Sequence, residues 1–444
     1  MDFSYSKTEQ LFLQMVRSFA ENEVKPLAAE VDEQERFPIE TVQKMGKLGM
    51  MGIPVPKQYG GAGGTVQMYI MAVEELSRVC ATTGVVLSAH TSLCIAPILE
   101  NGTEEQKMKY LPKLASGEWI GAFGLTEPNA GTDAAMQQTT AVDAGDHWVL
   151  NGSKIFITNA SYANVFIVMA MTDKSLGTKG ISAFIIERDM PGFSIGKKEL
   201  KMGIRGSATC ELIFENCIVP KENLLGPLGK GFSIAMTDKS LGTKGISAFI
   251  VEKTDPGFSV GKKEKKMGIR GSATTELIFE DCRIPKDRQL GQLGKGFGLA
   301  MKTLDGGRIG IACQALGIAQ GAMDETIKYT KERKQFGRSI SQFQNTQFQM
   351  ADLETKVQAA RLLCRSAHYK KDNGIPYSAD AAMAKLFAAE TAMEVTTKAV
   401  QFHGGYGYTR EYPVERMMRD AKITEIYEGT SEVQRMVIAG KLFK

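Results

Sequence analysis

Residues 170–232 read AMTDKSLGTKGISAFIIERDMPGFSIGKKELKMGIRGSATCELIFENCIVPKENLLGPLGKGF, a succession of short β-rich runs separated by glycine and proline turns. Runs such as 181–186 and 211–214 are typical of strands. The same text returns 65 positions later, at 235–297, with differences at only 14 of 63 aligned positions. A solenoid needs about three or more repeats. The pattern therefore predicts a single tandem duplication inside a β domain.

Further β-rich runs precede this repeat, at 148–150, 155–158 and 165–169. Asn151-Gly152 lies between the first two, and this dipeptide predicts a hairpin turn. A GxSxG pattern occurs at 192–196 and again at 257–261, but it follows a Pro-Gly turn between strands. A nucleophilic serine needs a strand–turn–helix elbow. We therefore interpret residues 119–297 as a β domain and the GxSxG patterns as incidental.

The sequence on either side of the β domain is helical. In residues 1–118, Leu11, Met15 and Phe19 recur at intervals of four, as on one face of a helix. Residues 103–106 form a capping box, TEEQ, and we expect the helix that it opens to end at Pro112. In residues 298–444, amphipathic stretches cover 309–333, 343–372 and 379–402. The sequence predicts an α+β multi-domain chain, with an all-α domain (1–118), a β domain (119–297) and a helical domain (298–444).

Composition limits the function. The 444 residues are 43% apolar with a net charge of +4, which does not indicate nucleic acid as a partner. There is no run of about 18 apolar residues and no signal-peptide pattern, so we expect no membrane span. Seven cysteines without metal spacing favour reduced thiols and a cytoplasmic protein. The four histidines also lack metal spacing, and we expect no metal site.

Three segments could carry chemistry, and each also has a structural interpretation. FGLTEPNAGTD (123–133) suits a flat polar ligand because small residues let it approach the backbone, and it suits a surface turn equally well. QFHGGYGY (401–408) could bind a phosphate through backbone amides, although a helix C-cap is the simpler interpretation. ITEIYEGTSE (423–432) places Glu428 in a tight turn, as a buried general base or as a solvated loop residue.

Taken together, seven motifs resemble the acyl-CoA dehydrogenase family, most closely its short-chain, butyryl-CoA type of bacteria. In chain order they are FGLTEPNAGTD, NGSKIFITN, KMGIRGS, LDGGRIGIA, ERKQFG, QFHGGYGY and IYEGTSEVQ. The resemblance implies a helical domain, a central domain of orthogonal sheets or a β-barrel, and a four-helix bundle. It implies FAD, α,β-dehydrogenation of a short-chain acyl-CoA to the trans-2-enoyl-CoA, and electron transfer to an electron-transferring flavoprotein. It also implies a homotetramer.

The resemblance assigns a role to individual residues. Glu428 matches the catalytic base that removes the α-proton, and its backbone amide matches an oxyanion donor. In some relatives the base lies elsewhere, near 306–310, but this chain reads GGRIG there, with no carboxylate. The implied FAD contacts are Phe123, Leu125, Thr126, Gly131, Thr132, Phe156, Thr158, Arg333, Phe336, Gln401, Gly404, Gly405, Thr430 and Glu432, with Arg333 and Phe336 acting across a subunit boundary. The implied acyl-CoA contacts are Thr132, Asp305, Arg308, Tyr427 and Gly429.

The repeat departs from the family pattern. Without its 65 additional positions the chain would have 379 residues, an ordinary length for the family, and only KMGIRGS among the motifs lies inside it. We expect one copy to complete the β domain and the other to form an appended lobe. The first copy continues the β-rich run at 165–169 without a break, which favours the first copy in the core. The second copy leads directly into the C-terminal helices, which favours the second copy instead. Alternative functions are an inactive FAD- or acyl-CoA-binding protein and an acyl-CoA oxidase.

Overall fold

A computed structural model describes most of the chain. The described residues are 5–128, 130, 137–172, 181–196, 204–205, 207–225, 249–252, 258–260, 277–279 and 296–443. For the described residues between 249 and 302, the structure describes the backbone and not the side chains.

Seven α-helices form the N-terminal part of the described chain. They are α1 (Lys7–Phe19), α2 (Ala28–Glu33), α3 (Ile39–Lys47), α4 (Val66–Val79), α5 (Ala81–Ser88), α6 (Ala96–Asn101) and α7 (Glu104–Ala115). The predicted capping box is confirmed, since the Gln106 amide donates to the Thr103 hydroxyl at 3.2 Å. The predicted end at Pro112 is wrong because α7 continues through this residue to Ala115. Buried Tyr110, Leu111 and Leu114 anchor that last turn in the core, and packing outweighs the lost backbone hydrogen bond.

The segment Ala81–Asn101 combines α5, a π-helical turn (Ala89–Ile95) and α6. Within the described part of the chain, it is the one helix long and apolar enough to cross a membrane by length and composition. Its apolar window is 83% buried inside the protein, as for the core helix of a globular fold.

The middle of the chain forms an eight-stranded sheet from described strands. The strands are β1 (Gly121–Gly124), β2 (Thr140–Asp143), β3 (His147–Ile157), β4 (Val165–Met171), β5 (Ile181–Glu187), β6 (Phe193–Ile195), β7 (Cys210–Pro220) and β8 (Phe249–Glu252). Their order is β6-β7-β3-β2-β4-β5-β8, with β1 paired in parallel to β4. Completely buried β4 runs through the centre of this core, with Phe166 packed edge-on against Phe193.

The predicted hairpin at Asn151-Gly152 is wrong. Both residues lie inside β3, which joins the two runs that flank them. The register against β7 shifts between Leu150 and Gly152, and Gly152 has a φ of 139° that only glycine adopts easily. The glycine therefore makes a bulge in a long strand rather than a turn.

The two copies of the repeat take different places. Copy one supplies β5 and β7 to the interior of the sheet order and β6 to one edge, whereas β8 of copy two lies parallel to β5 at the opposite edge. Two further strands of copy two, β9 (Phe258–Val260) and β10 (Leu277–Phe279), pair with each other and with no other described strand. Phe258 pairs with Phe279 as Phe193 pairs with Phe214, so this pair repeats the β6–β7 register 65 residues later.

A loop of copy one docks onto the helices. The Ile204 amide donates to the Asp420 carboxylate, and Arg205 donates to Glu35 Oε1 at 2.6 Å. Burial, together with neighbouring Asp32, raises the pKa of Asp420 to about 7. These contacts join copy one to the first and last thirds of the chain.

The C-terminal part is helical, with a short two-stranded hairpin after its first helix. Its elements are α8 (Gly296–Glu332), β11 (Lys334–Gln335), β12 (Arg338–Ser339), α9 (Gln344–Asp372), α10 (Ser378–His403), α11 (Val414–Thr424) and α12 (Ser431–Leu442). The bounds of α8, α9 and α10 extend or match the predicted amphipathic stretches. Alanine-rich faces of α10 and α8 let the two helices pack closely, and α4 also packs against α8.

Candidate active site

Glu428 lies in the turn between α11 and α12 with an enclosed carboxylate. Burial raises its pKa from 4.5 to about 7, against the opposing attraction of the Arg308 and Lys385 cations. Among the described residues, no hydrogen-bond partner reaches its Oε2 atom. Facing it on α8 is Gly307, where an added Cβ would lie 2.5 Å from that oxygen. A carboxylate that is half protonated near neutral pH and has a vacant hydrogen-bonding position can accept a proton from a bound molecule.

The backbone at Glu428 has an unusual conformation. Glu428 has a φ of 53° and Gly429 a φ of 86°, so two successive residues are left-handed. The Lys385 ammonium donates to the Gly429 carbonyl at 2.8 Å. The Gln434 amide donates to the carbonyls of Glu428 and Gly429 at 3.0 and 2.9 Å. Two buried side chains from α10 and α12 therefore hold a turn that a non-glycine residue enters at a cost.

Asp305 and Arg308 form a buried ion pair one turn apart on α8. The Ser378 hydroxyl at the start of α10 also donates to Asp305, at 3.0 Å. Burial raises the pKa of Asp305, although Arg308 opposes the rise. The pair lies within one helical turn of Gly307, so it brings both charges close to the Glu428 turn.

Tyr427 fixes the other side of this turn. Its hydroxyl donates to the side-chain oxygen of Gln314, and Gln314 in turn donates to the Ala81 carbonyl at 3.3 Å. Burial raises the pKa of Tyr427 far above its usual value, so the hydroxyl stays protonated. Tyr427 thus connects the turn to α8 and to the start of α5.

The residues predicted for the flavin end form a second group, in the β domain. The Ile155 amide donates to the Thr126 carbonyl at 2.8 Å, which joins the segment after β1 to β3. Phe156 is 46% exposed and has a φ of 62°, so its ring stands out from the sheet. Phe123, Leu125 and Thr158 are half-buried nearby on the same two segments. Gly131 and Thr132 lie outside the described residues.

A π-helical turn connects the two groups. His90 in this turn accepts a hydrogen bond from the Gly121 amide at the start of β1, at 3.0 Å. Three residues later, Leu93 approaches Gly307 from the side, with Cδ2 3.3 Å from the Cβ position there. Burial lowers the pKa of His90 to about 4, so the imidazole is neutral at pH 7. The flavin-end group and Glu428 therefore lie on two sides of one short segment.

A buried ion pair that we did not predict holds the loop after β1. The Lys154 ammonium contacts the Glu127 carboxylate, and it donates to Gln137 at 2.7 Å. Glu127 also accepts the amide hydrogens of Gln138 and Thr139, at 2.6 and 3.1 Å. Burial lowers the pKa of Lys154 to about 8. The ion pair attaches the segment after β1, a candidate for ligand binding, to β3.

A separate cleft of about 580 Å³ collects the residues predicted for the adenine and pyrophosphate end. Arg333, Gly404 and Gly405 line it, and the Arg333 guanidinium lies 5.8 Å from the Tyr406 ring centroid. No atom of the described residues lies within 4 Å of a Cβ added at either glycine, so the backbone there is open to a ligand. Nearby Gln401 is exposed, and Phe336 is 93% exposed with a φ of 51°.

This cleft lies at the far end of α10 from the Glu428 turn. Lys385 contacts Gly429 near the start of α10, and Gly404 follows the end of this helix. At 1.5 Å per residue, the intervening residues span about 28 Å. Of the last two predicted contacts, Thr430 caps α12 by accepting from the Val433 amide, and Glu432 is exposed in the first turn. The Glu428 turn and the flavin-end group therefore form one region, and the cleft at Arg333, Gly404 and Gly405 forms another.

Sequence reasoning missed Lys385, Gln434, Gln314, Glu127 and Lys154. Lys385 had a usable signal, because Ala381, Ala388 and Ala389 occupy neighbouring positions on one helical face, and all are buried. A lone lysine in such a face must have a partner inside the protein. Gln434 and Gln314 had no comparable signal.

Comparison with known proteins gives matches over nearly the whole chain. Family models match residues 6–118 ("Acyl-CoA dehydrogenase, N-terminal domain"), 122–217 ("middle domain") and 294–443 ("C-terminal domain"). "Acyl-CoA dehydrogenase, short-chain specific" of Clostridium acetobutylicum is 57% identical, with both chains fully covered. Among solved structures, butyryl-CoA dehydrogenase from Megasphaera elsdenii matches with a TM-score of 0.83 and 44% identity, covering both chains fully. A chain described as "Electron transferring flavoprotein of Acidaminococcus fermentans: Towards a mechanism of flavin-based electron bifurcation" matches with a TM-score of 0.84 and 49% identity, also over both full lengths.

Proposed function

The chain belongs to the acyl-CoA dehydrogenase family, and on this premise we propose that it oxidises a short-chain acyl-CoA thioester to the trans-2-enoyl-CoA with FAD as cofactor. The observation that carries the proposal is the enclosed Glu428 carboxylate with a pKa raised to about 7 and no described partner for Oε2. The short-chain enzyme of Clostridium acetobutylicum and the butyryl-CoA dehydrogenase structure support the chain length.

In this proposal Glu428 removes the α-proton of the thioester. The proton goes to the free Oε2 atom, and the raised pKa makes the carboxylate a stronger base than an exposed glutamate. No described residue accepts a hydrogen bond from the Glu428 backbone amide, which leaves it available to the thioester carbonyl as an oxyanion donor. Asp305, Arg308, Tyr427 and Gly429 form the surroundings that orient the acyl-CoA, and Thr132 would add a contact.

The residues present fit FAD. Phe156 offers an exposed ring beside the segment 123–126, and Gly404 and Gly405 offer open backbone next to the Arg333 guanidinium. These are the features that a flat ring system and a pyrophosphate need. When bound, FAD supplies the acceptor for the hydride that leaves Cβ. The holding residues would be Phe123, Leu125, Thr126, Gly131, Thr132, Phe156, Thr158, Arg333, Phe336, Gln401, Gly404, Gly405, Thr430 and Glu432.

We further propose a homotetramer. The cleft at Arg333, Gly404 and Gly405 is about 28 Å along α10 from Lys385, which contacts the turn of the base. Because Arg333, Gly404 and Gly405 lie so far from Glu428, we propose that they bind the FAD whose flavin ring lies in the active site of a second copy of the chain. An electron-transferring flavoprotein is the proposed electron acceptor, supported by the Acidaminococcus fermentans structure. The domain divisions after 118 and 297, the four-helix bundle and the cytoplasmic location remain predictions.

The additional copy of the repeat is proposed to be dispensable. The middle-domain model matches up to residue 217, inside copy one, and the C-terminal model begins at 294, near the end of copy two. Copy two would also place polar groups at buried positions: Asp255, Arg288 and Gln289 align with buried Met190, Asn223 and Leu224. Burying such groups without partners is costly. Deletion of residues 233–297 should therefore leave a folded, flavin-containing enzyme, and loss of folding would contradict this.

Anaerobic titration with acyl-CoAs tests the function. The purified yellow protein should lose its flavin absorbance on addition of butyryl-CoA, faster than with octanoyl- or palmitoyl-CoA. Hydrogen peroxide formed in air at the rate of substrate oxidation would identify an acyl-CoA oxidase instead. A flavin-loaded protein that no acyl-CoA bleaches would be a binding protein.

A further inference from the structure

Lys385 is completely buried in the middle of the helical core. Among the described residues, its ammonium donates to one group, the neutral Gly429 carbonyl. Within the described chain, no carboxylate oxygen lies within the 4 Å of an ion pair from it. Burial without such a partner is costly for a cation, and here it lowers the pKa of Lys385 to about 8. The proposed function assigns no role to this lysine.

The residue on which Lys385 acts is the base. Gly429 directly follows Glu428, and both are held in the left-handed region. A non-glycine residue stays in this region only when its surroundings enforce it. Lys385 and Gln434 supply this enforcement by binding the two successive carbonyls. Releasing either carbonyl would let Glu428 relax and move its carboxylate away from Gly307.

The charge of Lys385 acts on the same carboxylate. In the part of the chain that the structure describes, four groups that can carry charge or titrate act on Glu428, each from a different element: Arg308 on α8, Lys385 on α10, Tyr69 on α4 and Tyr427 in its own turn. Burial keeps both tyrosines neutral. Arg308 already forms an ion pair with Asp305, so its field is partly cancelled. Glu425 and Glu432 also attract Lys385, but they belong to the ends of α11 and α12.

We propose that Lys385 is a positioning residue for Glu428, which fixes the turn through the Gly429 carbonyl and stabilises the ionised carboxylate with its buried charge. This inference rests on the proposed function. Lys385 does not touch the reacting atoms, so it acts only through Glu428.

The test is the pH dependence of the anaerobic bleaching rate at saturating butyryl-CoA, in the flavin-loaded enzyme. Lys385→Met removes the charge and the donor. We expect its half-maximal pH to rise by roughly one unit, as for loss of one nearby cation in a partly screened interior. The rate on the alkaline plateau should also fall about tenfold because the carboxylate is misplaced, with KM little changed.

Three further variants separate the two effects. Gln434→Leu removes hydrogen bonds but no charge, so its plateau should fall while its half-maximal pH stays near that of the wild type. Lys385→Arg keeps the charge and should keep the half-maximal pH. Lys398→Met, an exposed lysine on the same helix, is the matched control and should change neither quantity. If Lys385→Met does not fold, Lys385→Gln answers the question through its half-maximal pH.

An unchanged half-maximal pH in Lys385→Met, or in Lys385→Gln if that variant is used, would overturn the positioning role, because a purely structural lysine would alter only stability or flavin content. This failure differs from failure of the proposed function. In the latter case, the wild-type enzyme itself would not bleach with butyryl-CoA.

Discussion

Gly307 on α8 and Glu428 in the α11–α12 turn face each other so closely that any Cβ at 307 would lie 2.5 Å from the Glu428 Oε2 atom. No side chain other than hydrogen fits there while the carboxylate keeps its place. The obstructed atom is the end of a flexible side chain, so a larger residue would displace the carboxylate rather than unfold the protein. Segment 306–310 carries no acid, but Gly307 within it leaves the space that the Glu428 carboxylate occupies.

Gly307→Ala should therefore reduce the rate of substrate oxidation more than it reduces stability. A displacement of about 1 Å at a reacting group can cost about a hundredfold in rate, and we expect a loss of tenfold or more in kcat. The melting temperature and flavin content should stay near the wild-type values. Gly306→Ala is the control, because the one described atom that its Cβ would meet within 4 Å is Nζ at the end of the Lys371 side chain. Equal rates in Gly307→Ala and wild type would show that the carboxylate need not occupy this position.

The raised pKa of Glu428 predicts a pH-dependent cost to stability. The folded protein holds the proton up to about pH 7, whereas the unfolded chain releases it near pH 4.5. The stabilisation from the buried proton is fully present below pH 4.5 and is lost as the pH rises through 7, to the extent of roughly 3 kcal/mol. Glu428→Gln should thus gain thermal stability relative to wild type at pH 8 but not at pH 4.5. Exposed Glu432→Gln should show no such gain, and a gain that does not depend on pH would contradict the buried-carboxylate account.

The Lys154–Glu127 pair should be essential to the loop after β1. Lys154→Met leaves the Glu127 carboxylate buried with only backbone amides as donors, and breaking a buried pair typically costs about 3–5 kcal/mol. We expect a lower melting temperature and loss of flavin on gel filtration. The double variant Lys154→Met/Glu127→Gln removes both charges and should be less damaged than the single variant. Equal damage in both would assign the effect to packing instead of charge.

Because each copy of the repeat carries the same arginine, substituting one arginine at a time tests which copy contacts the helices. Arg205 in copy one binds Glu35 and Asp32, and Arg270 occupies the same position in copy two, outside the described residues. Arg205→Ala should lower the melting temperature by several degrees, whereas Arg270→Ala should leave it unchanged. The reverse result would place copy two against the helices.

Much of the fold was predictable because its signals are local. The long helices follow from apolar periodicity, and the α7 capping box from four adjacent residues. Pro112 and Asn151-Gly152 misled us for a shared reason: packing of Tyr110 and Leu114 carries α7 past its proline, and pairing with β7 turns the glycine into a bulge. Glu428 could be singled out as a candidate base by resemblance, but the side chains that hold its turn, Lys385, Gln434 and Gln314, come from three other helices. Such contacts depend on tertiary packing, which no local pattern records.

The proposed role of Glu428 as the base of an acyl-CoA dehydrogenase can be measured as the anaerobic rate at which butyryl-CoA bleaches the bound flavin in wild type and Glu428→Gln. The measurement should use single turnovers at pH 8, with both proteins loaded with flavin to the same extent. We predict rapid bleaching in wild type and a rate at least a thousandfold lower in Glu428→Gln, on the order expected for loss of a general base. Bleaching of Glu428→Gln at the wild-type rate would show that Glu428 is not the base.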